Sequence, residues 1–408
     1  MATLCRNCGA PLIFDPSTQR VQCQACGSSW MPEEIESAAK AFSSDNVAEP
    51  VAPGGSSAVK EFMDCYIYTC SSCGGEIVIN GSETSTTCIY CGSSSVVFSR
   101  IDKEKRPDFI IPFQISKEDA TKIIHDRFMQ GLFIPKEFKN LQPESVRGIY
   151  IPYWLVDVYH AESNVIRGEV GSGDNSTTYY YGRSGILQMK SMPVESSQLL
   201  NDESSKQLEP YSYAKLKPFD EEYLLGFYSN RSDTNYGQMR QVVDKEATNC
   251  FQTCARQDIR ATSKHVIKES HSTLIDKNMV YALFPAWFVT VTYEGKHHTI
   301  LVNGESGKIV CGLPWNQKFF WSLVFTIGGA VGLVHGLVGL LISLLMNREG
   351  DMRLLFLIFG TGFFSPVMVF VVALICVLIG LFKFKQVTNQ IKLTQDNDIF
   401  TFTQRRQG

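Results

Sequence analysis

The sequence predicts a multidomain chain: two small β zinc ribbons, an α+β middle domain with an internal duplication, and a C-terminal two-helix transmembrane hairpin. Three observations predict it. The spacing C-x2-C-x14-C-x2-C occurs twice before residue 92. The strings IPYWLVDV (151–158) and FPAWFVTV (284–291) echo each other. Two runs without a formal charge, 319–346 and 354–382, stand near the end. The expected segments are a first ribbon over 1–32, a flexible linker over 33–61, a second ribbon over 62–104, the α+β domain over 105–316, the hairpin over 317–384 and a cytoplasmic tail over 385–408.

The cysteine pairs spell out their chemistry. Cys5, Cys8, Cys23 and Cys26 form the first set, and Cys70, Cys73, Cys88 and Cys91 the second; each pair is followed by glycine, at Gly9, Gly27, Gly74 and Gly92. Two thiolates three residues apart reach one ion from a tight turn, and glycine tolerates the positive φ of that turn. Four sulfurs from two such turns make a closed tetrahedral zinc site, hence two structural Zn2+ ions with no position left for a catalytic water. Iron in a rubredoxin-like site is the alternative. The intervening PLIFDPSTQRVQ and EIVINGSETSTT suit short hairpins, with Asp15-Pro16 and Asn80-Gly81 at the turns. Metal binding contributes about 10–16 kcal/mol in small zinc modules, enough to fold a unit too small to hold a core.

Charge and compartment narrow the function. Nine of the 13 cysteines precede residue 92, and the start MATLCRNCGAP has no basic-then-apolar run, so no signal peptide is expected and the close pairs read as metal sites in a reducing compartment. The net charge is −3. The first ribbon sets Arg6 and Arg20 against Asp15, and the second sets Arg100 against Glu76 and Glu83. Phosphate contacts need Lys and Arg, so two nearly neutral ribbons favour protein docking over nucleic acid. Trp30, Ile89 and Tyr90 are the candidate docking residues. Cys65 reads as a buried strand residue, and Cys250 and Cys254 as one helix face.

Residues 37–60 are rich in Ala, Ser, Gly and Pro and read as a tether. In the middle domain a helical segment precedes each echo string, SKEDATKIIHDRFMQGLF and DKEATNCFQTCARQDIRATSKHV. That pattern predicts two related helix-then-hairpin units, with chance similarity of two strands as the alternative. TTYYYGRSGILQMK and WFVTVTYEGKHHTILVNGESGKIVCGL supply strands, the latter a three-stranded meander. No enzyme is indicated. NGESGKI lacks the G-x4-G-K-[ST] spacing, and G-x-S-x-G, H-E-x-x-H and a helix-opening G-x-G-x-x-G are absent. His297 and His298 are adjacent on a strand and point to opposite faces. Asp157 in YWLVDVYH reads as a structural hydrogen-bonding group.

Each of the two apolar runs exceeds the roughly 20 residues needed to cross a bilayer core. Lys308, Lys318, Lys383, Lys385 and Lys392 lie on the outer flanks, against Arg348 and Arg353 in the connection, which predicts a multi-pass protein of the bacterial inner membrane with both termini cytoplasmic. Gly328, Gly332 and Gly336 form a small-residue face suited to helix or homo-oligomer packing. His335, within the first run, reads as a neutral imidazole bonded to the neighbouring helix, with a functional role as the alternative.

The layout as a whole – two CxxCG ribbons, PFQISKEDA, GIYIPYWLVDV, VNGESGKIVCGLP, an apolar hairpin and DIFTFT – resembles the bacterial zinc-ribbon membrane proteins related to a Bacillus membrane-stress component. Members are encoded beside PspA-like, TPM-domain or SPFH-domain proteins and are often given a primosomal helicase-like label, although no Walker motif stands here. The resemblance implies a membrane-anchored scaffold that recruits SPFH-type or PspA-type partners in envelope stress. It implies no catalytic residues. The alternatives are a nucleic-acid-binding membrane regulator and a small membrane enzyme or transporter using His335.

Overall fold

The computed structural model describes residues 4–35, 62–129 and 146–311 apart from 73, 80–87, 89–95, 172–175, 198–201 and 294–295, together with seven positions between 318 and 329. Two sheets organise the described residues. The smaller is the first ribbon, formed by strands β1 (Leu12–Asp15), β2 (Arg20–Cys23) and β3 (Ser29–Trp30), all antiparallel. Its hairpin turns at Asp15, whose carboxylate accepts the Ser17 N–H at 2.9 Å and the Ser17 hydroxyl at 2.6 Å. These bonds occupy the backbone locally, as Asp does in turns.

The larger sheet has 12 strands. It contains β4 (Phe62–Cys70), β5 (Glu76–Ile79), β6 (Val96–Lys105), β7 (Phe109–Ile110), β8 (Val146–Val170), β9 (Thr177–Glu195), β10 (Lys217–Pro218), β11 (Tyr228–Ser229), β12 (Ser263–Ile275), β13 (Val280–Tyr293), β14 (Lys296–Asn303) and β15 (Ile309–Cys311). The main path runs β10-β7-β13-β8-β11-β5-β4-β6; β14 and β15 follow β13, and β9 and β12 flank the far half of β8. Strand β8 explains the plan by itself. Its first part, ValArgGlyIleTyrIleProTyr onward, is apolar on both faces and lies in the core, with Ile149, Tyr150, Ile151 and Tyr153 fully buried. Its second part alternates, with Val158, His160, Glu162, Asn164 and Ile166 buried and Tyr159, Ala161, Ser163 and Arg167 exposed. A period of two with one buried face is what a half-covered strand requires.

Among the described residues, three α-helices cover this frame. Helix α1 (Lys117–Met129) starts at Ser116, whose hydroxyl accepts the Asp119 N–H at 3.0 Å, and buries Ala120, Ile124 and Phe128. Helix α2 (Asp202–Leu208) is short. Helix α3 (Tyr236–Gln257) opens with a capping box between Asn235 and Gln238 and buries Met239, Val243 and Ala247. Those positions recur every four residues, so one stripe packs on Val156, Val158 and Val194 of the β8–β9 face.

The two echo strings are neighbours. Ile151 of β8 lies opposite Phe284 of β13, and Pro152 opposite Leu283, in antiparallel register. Their apolar character follows from burial on both faces. NGESGKI is the turn from β14 to β15: Asn303 Oδ1 accepts the N–H groups of Glu305 and Ser306 at 2.8 and 2.9 Å, and Gly307 has φ of +75°.

Several expectations are corrected. The α+β class becomes a mostly β fold with a few helices, because the strands expected as separate hairpins join one sheet. The second ribbon is not a free-standing module, since β5 pairs with β11 of that same sheet. Residues 33–35, expected at the start of a linker, belong to a helical turn, and Ile35 is buried in the first ribbon's core. The rest of that linker lies outside the described residues, as do His335, Gly328, Gly332 and Gly336 and nearly all of the two expected spans, 319–346 and 354–382. Among the described residues no helix is long and apolar enough to cross a membrane. The longest, α3, has 22 residues but carries Arg240, Asp244, Lys245, Glu246 and Arg256, which hydrocarbon excludes. No described helix bears out the transmembrane hairpin or the multi-pass inner-membrane location.

Candidate metal centre

The first ribbon brings Cys5, Cys8, Cys23 and Cys26 together. Their sulfurs all lie within 4.8 Å of one another, and four ligands so placed can hold one metal ion. Cys5 and Cys26 sulfurs are 3.6 Å apart, and Cys8 and Cys23 sulfurs 3.4 Å. A tetrahedron of sulfurs about 2.3 Å from a central zinc has edges of about 3.8 Å, so the cluster fits that ion and is too open for disulfides, whose bonds are about 2.0 Å. The backbone prepares this geometry. The Gly9 N–H donates to the Cys5 carbonyl at 2.7 Å and the Cys5 N–H to the Ala10 carbonyl at 2.7 Å. At the second pair the Gly27 N–H donates to the Cys23 carbonyl and the Cys23 N–H to the Ser28 carbonyl, both at 2.9 Å. Gly9 and Gly27 have φ of +73° and +74°, the left-handed region that glycine enters without strain.

Sulfurs this close cannot all ionise without a cation among them. The Cys8 thiol is pushed up to about 12: the Ala10 N–H favours its thiolate, but the Cys23 sulfur, desolvation and the Cys26 and Cys5 sulfurs outweigh it. Cys26 is lowered to about 6, chiefly by the Ser28 hydroxyl at 3.2 Å and the Ser28 N–H. Cys5 and Cys23 are buried, whereas Cys8 and Cys26 face outward. The four positions of a tetrahedron are filled by protein, so a bound ion has no place for substrate and acts as a staple.

The second set is described in part. The Gly74 N–H donates to the Cys70 carbonyl at 2.7 Å, the Cys70 N–H to the Gly75 carbonyl at 3.0 Å, and Gly74 has φ of +75°. This is the knuckle of the first ribbon repeated. Cys70 and Cys88 are buried within one apolar cluster, and the Cys88 carbonyl accepts Arg147 Nη1 at 2.8 Å. Cys73 and Cys91 lie outside the described residues, so one four-cysteine cluster stands among the described residues against the two expected.

The first ribbon is packed against the body of the protein. Phe14 of β1 packs edge-on to Tyr223 at 5.1 Å and lies 6.5 Å from Phe227, which stacks on Phe113 at 4.3 Å. The Phe14 N–H donates to the Leu225 carbonyl at 3.0 Å, and Gln19 Nε2 to the Phe113 carbonyl at 2.7 Å. A cleft of about 530 Å³, lined by Phe14, Asp15, Lys117, Arg147, Phe227 and Trp287 among others, opens at this junction.

The remaining candidates are placed as follows. Trp30 is half-buried against the first ribbon's core, and Ile89 and Tyr90 lie outside the described residues. Asp157 sits at a bulge between β8 and β9 and accepts the Ser191 N–H at 2.7 Å, a structural bond. Cys65 is buried, and Cys250 and Cys254 are exposed on α3. His297 and His298 stand in β14 opposite Thr292 and Val291. Two features escaped the sequence reading. One is an exposed aromatic face on β4 and β6, signalled by the aromatic residues of FMDCYIYTC and VVFSRID. The other is a polar cluster under α3, signalled by the alternation in YHAESN.

No family model matches the chain, and no solved structure matches it. Among curated proteins, it is similar to YdjG of Bacillus subtilis (strain 168), a protein described as uncharacterized, at 27% identity over 350 residues that cover 83% of this chain and 97% of that protein.

Proposed function

We propose that the protein is a metal-stapled docking scaffold whose second ribbon presents an aromatic face to protein partners. The observation that carries this reading is the outer face of β4 and β6. Tyr66 lies opposite Ile101 and Tyr68 opposite Phe98, with the Tyr68 and Phe98 rings 5.6 Å apart. Phe98 is 50% exposed, Ile101 58% and Phe62 52%. Clustered exposed aromatics at the end of a sheet are the composition of an interface core. Strand β6 ends the main path of the sheet, pairing with β4 among the described residues.

The charges beside this face favour protein over nucleic acid. Arg100 pairs with Glu76 at 3.0 Å and Asp102 at 3.3 Å, and Arg231 with Glu104 at 2.8 Å. Cations already held by carboxylates are poor phosphate ligands. The metal is assigned as zinc, with Cys5, Cys8, Cys23 and Cys26 holding one ion and Cys70, Cys73, Cys88 and Cys91 a second; the repeated knuckle at Cys70 supports the second site. The role is binding, not catalysis. The partners to test first are the SPFH-domain, PspA-like and TPM-domain proteins that the family resemblance offers.

The test is quantitative co-purification of those candidates with the full chain and with Phe98→Asp/Ile101→Asp. A drop of at least tenfold in the variant, with Ile186→Asp on a distant exposed face unchanged, is expected. Equal recovery by all three chains refutes the docking face. Elemental analysis should give two zinc ions per chain.

A further inference from the structure

Helix α3 carries two cysteines, Cys250 and Cys254, that neither ribbon uses. Four residues apart, they stand one above the other on a single helix face. Two helical turns separate Cys250 from Val243 and Cys254 from Ala247, so the pair prolongs the stripe that the first half of the helix buries. Both cysteines are nevertheless exposed. The far end of α3 thus offers two thiols side by side to solvent.

The sulfurs are neighbours. Partial desolvation pushes the Cys250 thiol up, and the Cys254 sulfur, within hydrogen-bonding reach, adds to this. They do not suit a disulfide while the helix stands. A disulfide needs Cβ atoms about 3.5–4.5 Å apart, whereas helix positions four residues apart hold them at about 5–6 Å. A cation bridges the wider gap, since two metal–sulfur bonds of about 2.3 Å laid end to end span about 4.6 Å. No third ligand is at hand. Glu246, one turn earlier, is paired with Lys206 of α2. Among the described residues, the four cysteines of the first ribbon are the one group of three or more His, Cys, Asp or Glu side chains gathered closely enough to share an ion.

We propose that Cys250 and Cys254 form a two-sulfur clasp for a soft monovalent cation, copper(I) or one of its class, on the open side of α3. Ligand number and softness make the selection. Zinc completes a shell of four, and the ribbon already gathers four sulfurs for it. Calcium and magnesium take oxygen ligands. Thiolates favour copper(I), and that ion accepts two sulfurs in line. The binding step balances without redox change. Each sulfur gives up its proton to solvent, two sulfur–metal bonds form, and the filled clasp carries one negative charge. The two kinds of site divide the labour: the closed ribbon keeps its ion as a staple, whereas the exposed clasp takes up and releases one.

The test uses the full zinc-loaded chain, kept free of oxygen and supplied with copper(I) as its bathocuproine disulfonate complex. Metal retained per chain is measured for the parent and for Cys250→Ser/Cys254→Ser. The parent should keep about one copper more than the double variant, with equal zinc in both. Either single serine variant should bind copper(I) at least tenfold more weakly, because one of two linked contacts is gone. X-ray absorption at the copper edge of the parent, which needs no variant, should count two sulfur neighbours. Equal copper in parent and double variant overturns the proposal. So does copper gained only as zinc is lost, or a count of three or more sulfurs.

Discussion

The two ribbons share one knuckle but are held by opposite means. The first is a separate sheet of three short strands, attached to the body through Phe14, Gln19 and the Leu225 carbonyl. The second has no separate sheet, because β4, β5 and β6 continue the backbone ladder of the large one. A ladder passes many hydrogen bonds between elements, whereas a docked module depends on side-chain packing and on its own internal staple. The first ribbon is therefore the one whose folding should answer to metal, and the second the one whose aromatic face is presented on a rigid edge.

The largest effect expected from this contrast is the loss of the first staple. Cys23→Ser opens a cluster worth about 10–16 kcal/mol in small zinc modules. The first ribbon should unfold while the large sheet survives. Limited proteolysis with mass spectrometry reads this directly, as new cuts within 4–35; a digestion pattern identical to the parent's would break the comparison.

Next comes the docking contact. Phe14 is buried, and removing its ring should cost about 3–5 kcal/mol. Phe14→Ala should lower the denaturant midpoint and loosen the first ribbon without changing the metal content. A midpoint shift together with loss of metal would mean that the staple and the interface are one unit.

The smallest effect is a difference in pH response. Burial opposes the Asp15 carboxylate, but the Ser17 and Thr18 hydrogen bonds prevail and bring its pKa below 3.8. Its contribution is present above that value and is lost as pH falls through the folded pKa. Glu104 of β6 goes the other way, raised above 4.5 chiefly by burial despite Arg231, so its ionised form opposes folding as pH rises. Asp15→Asn should therefore blunt the acid sensitivity of the first ribbon, and Glu104→Gln should slightly stabilise the second at neutral pH. Thermal melts across pH check both signs, and reversed signs would erase the distinction.

The four-cysteine cluster of the first ribbon was legible because its information is local. Cys5, Cys8, Cys23 and Cys26 are tied by spacing, and glycine after each pair marks the turn that aims two sulfurs at one point. The hairpin at Asp15 and the turn at Asn303 were legible for the same reason, since their hydrogen bonds close within a few residues. The aromatic face was not legible. Tyr66 and Phe98 belong to strands separated by the second knuckle, and whether they are buried or exposed depends on what lies over them. The cluster around His160 was hidden likewise, because Thr273 and Asp244 reach it from elements more than eighty residues away in the chain.

The amino-acid order alone determined the knuckles, the tight turns and the apolar strings at 151–158 and 284–291. Short-range sterics and hydrogen bonding admit few alternatives there. Only the tertiary structure decided that those two strings pair with each other, that the second ribbon merges into the large sheet while the first docks from outside, and that a histidine, a glutamate and an aspartate meet beneath a helix. Strand pairing and face coverage are choices among many distant partners of similar hydrophobicity, and packing of the whole core selects one of them.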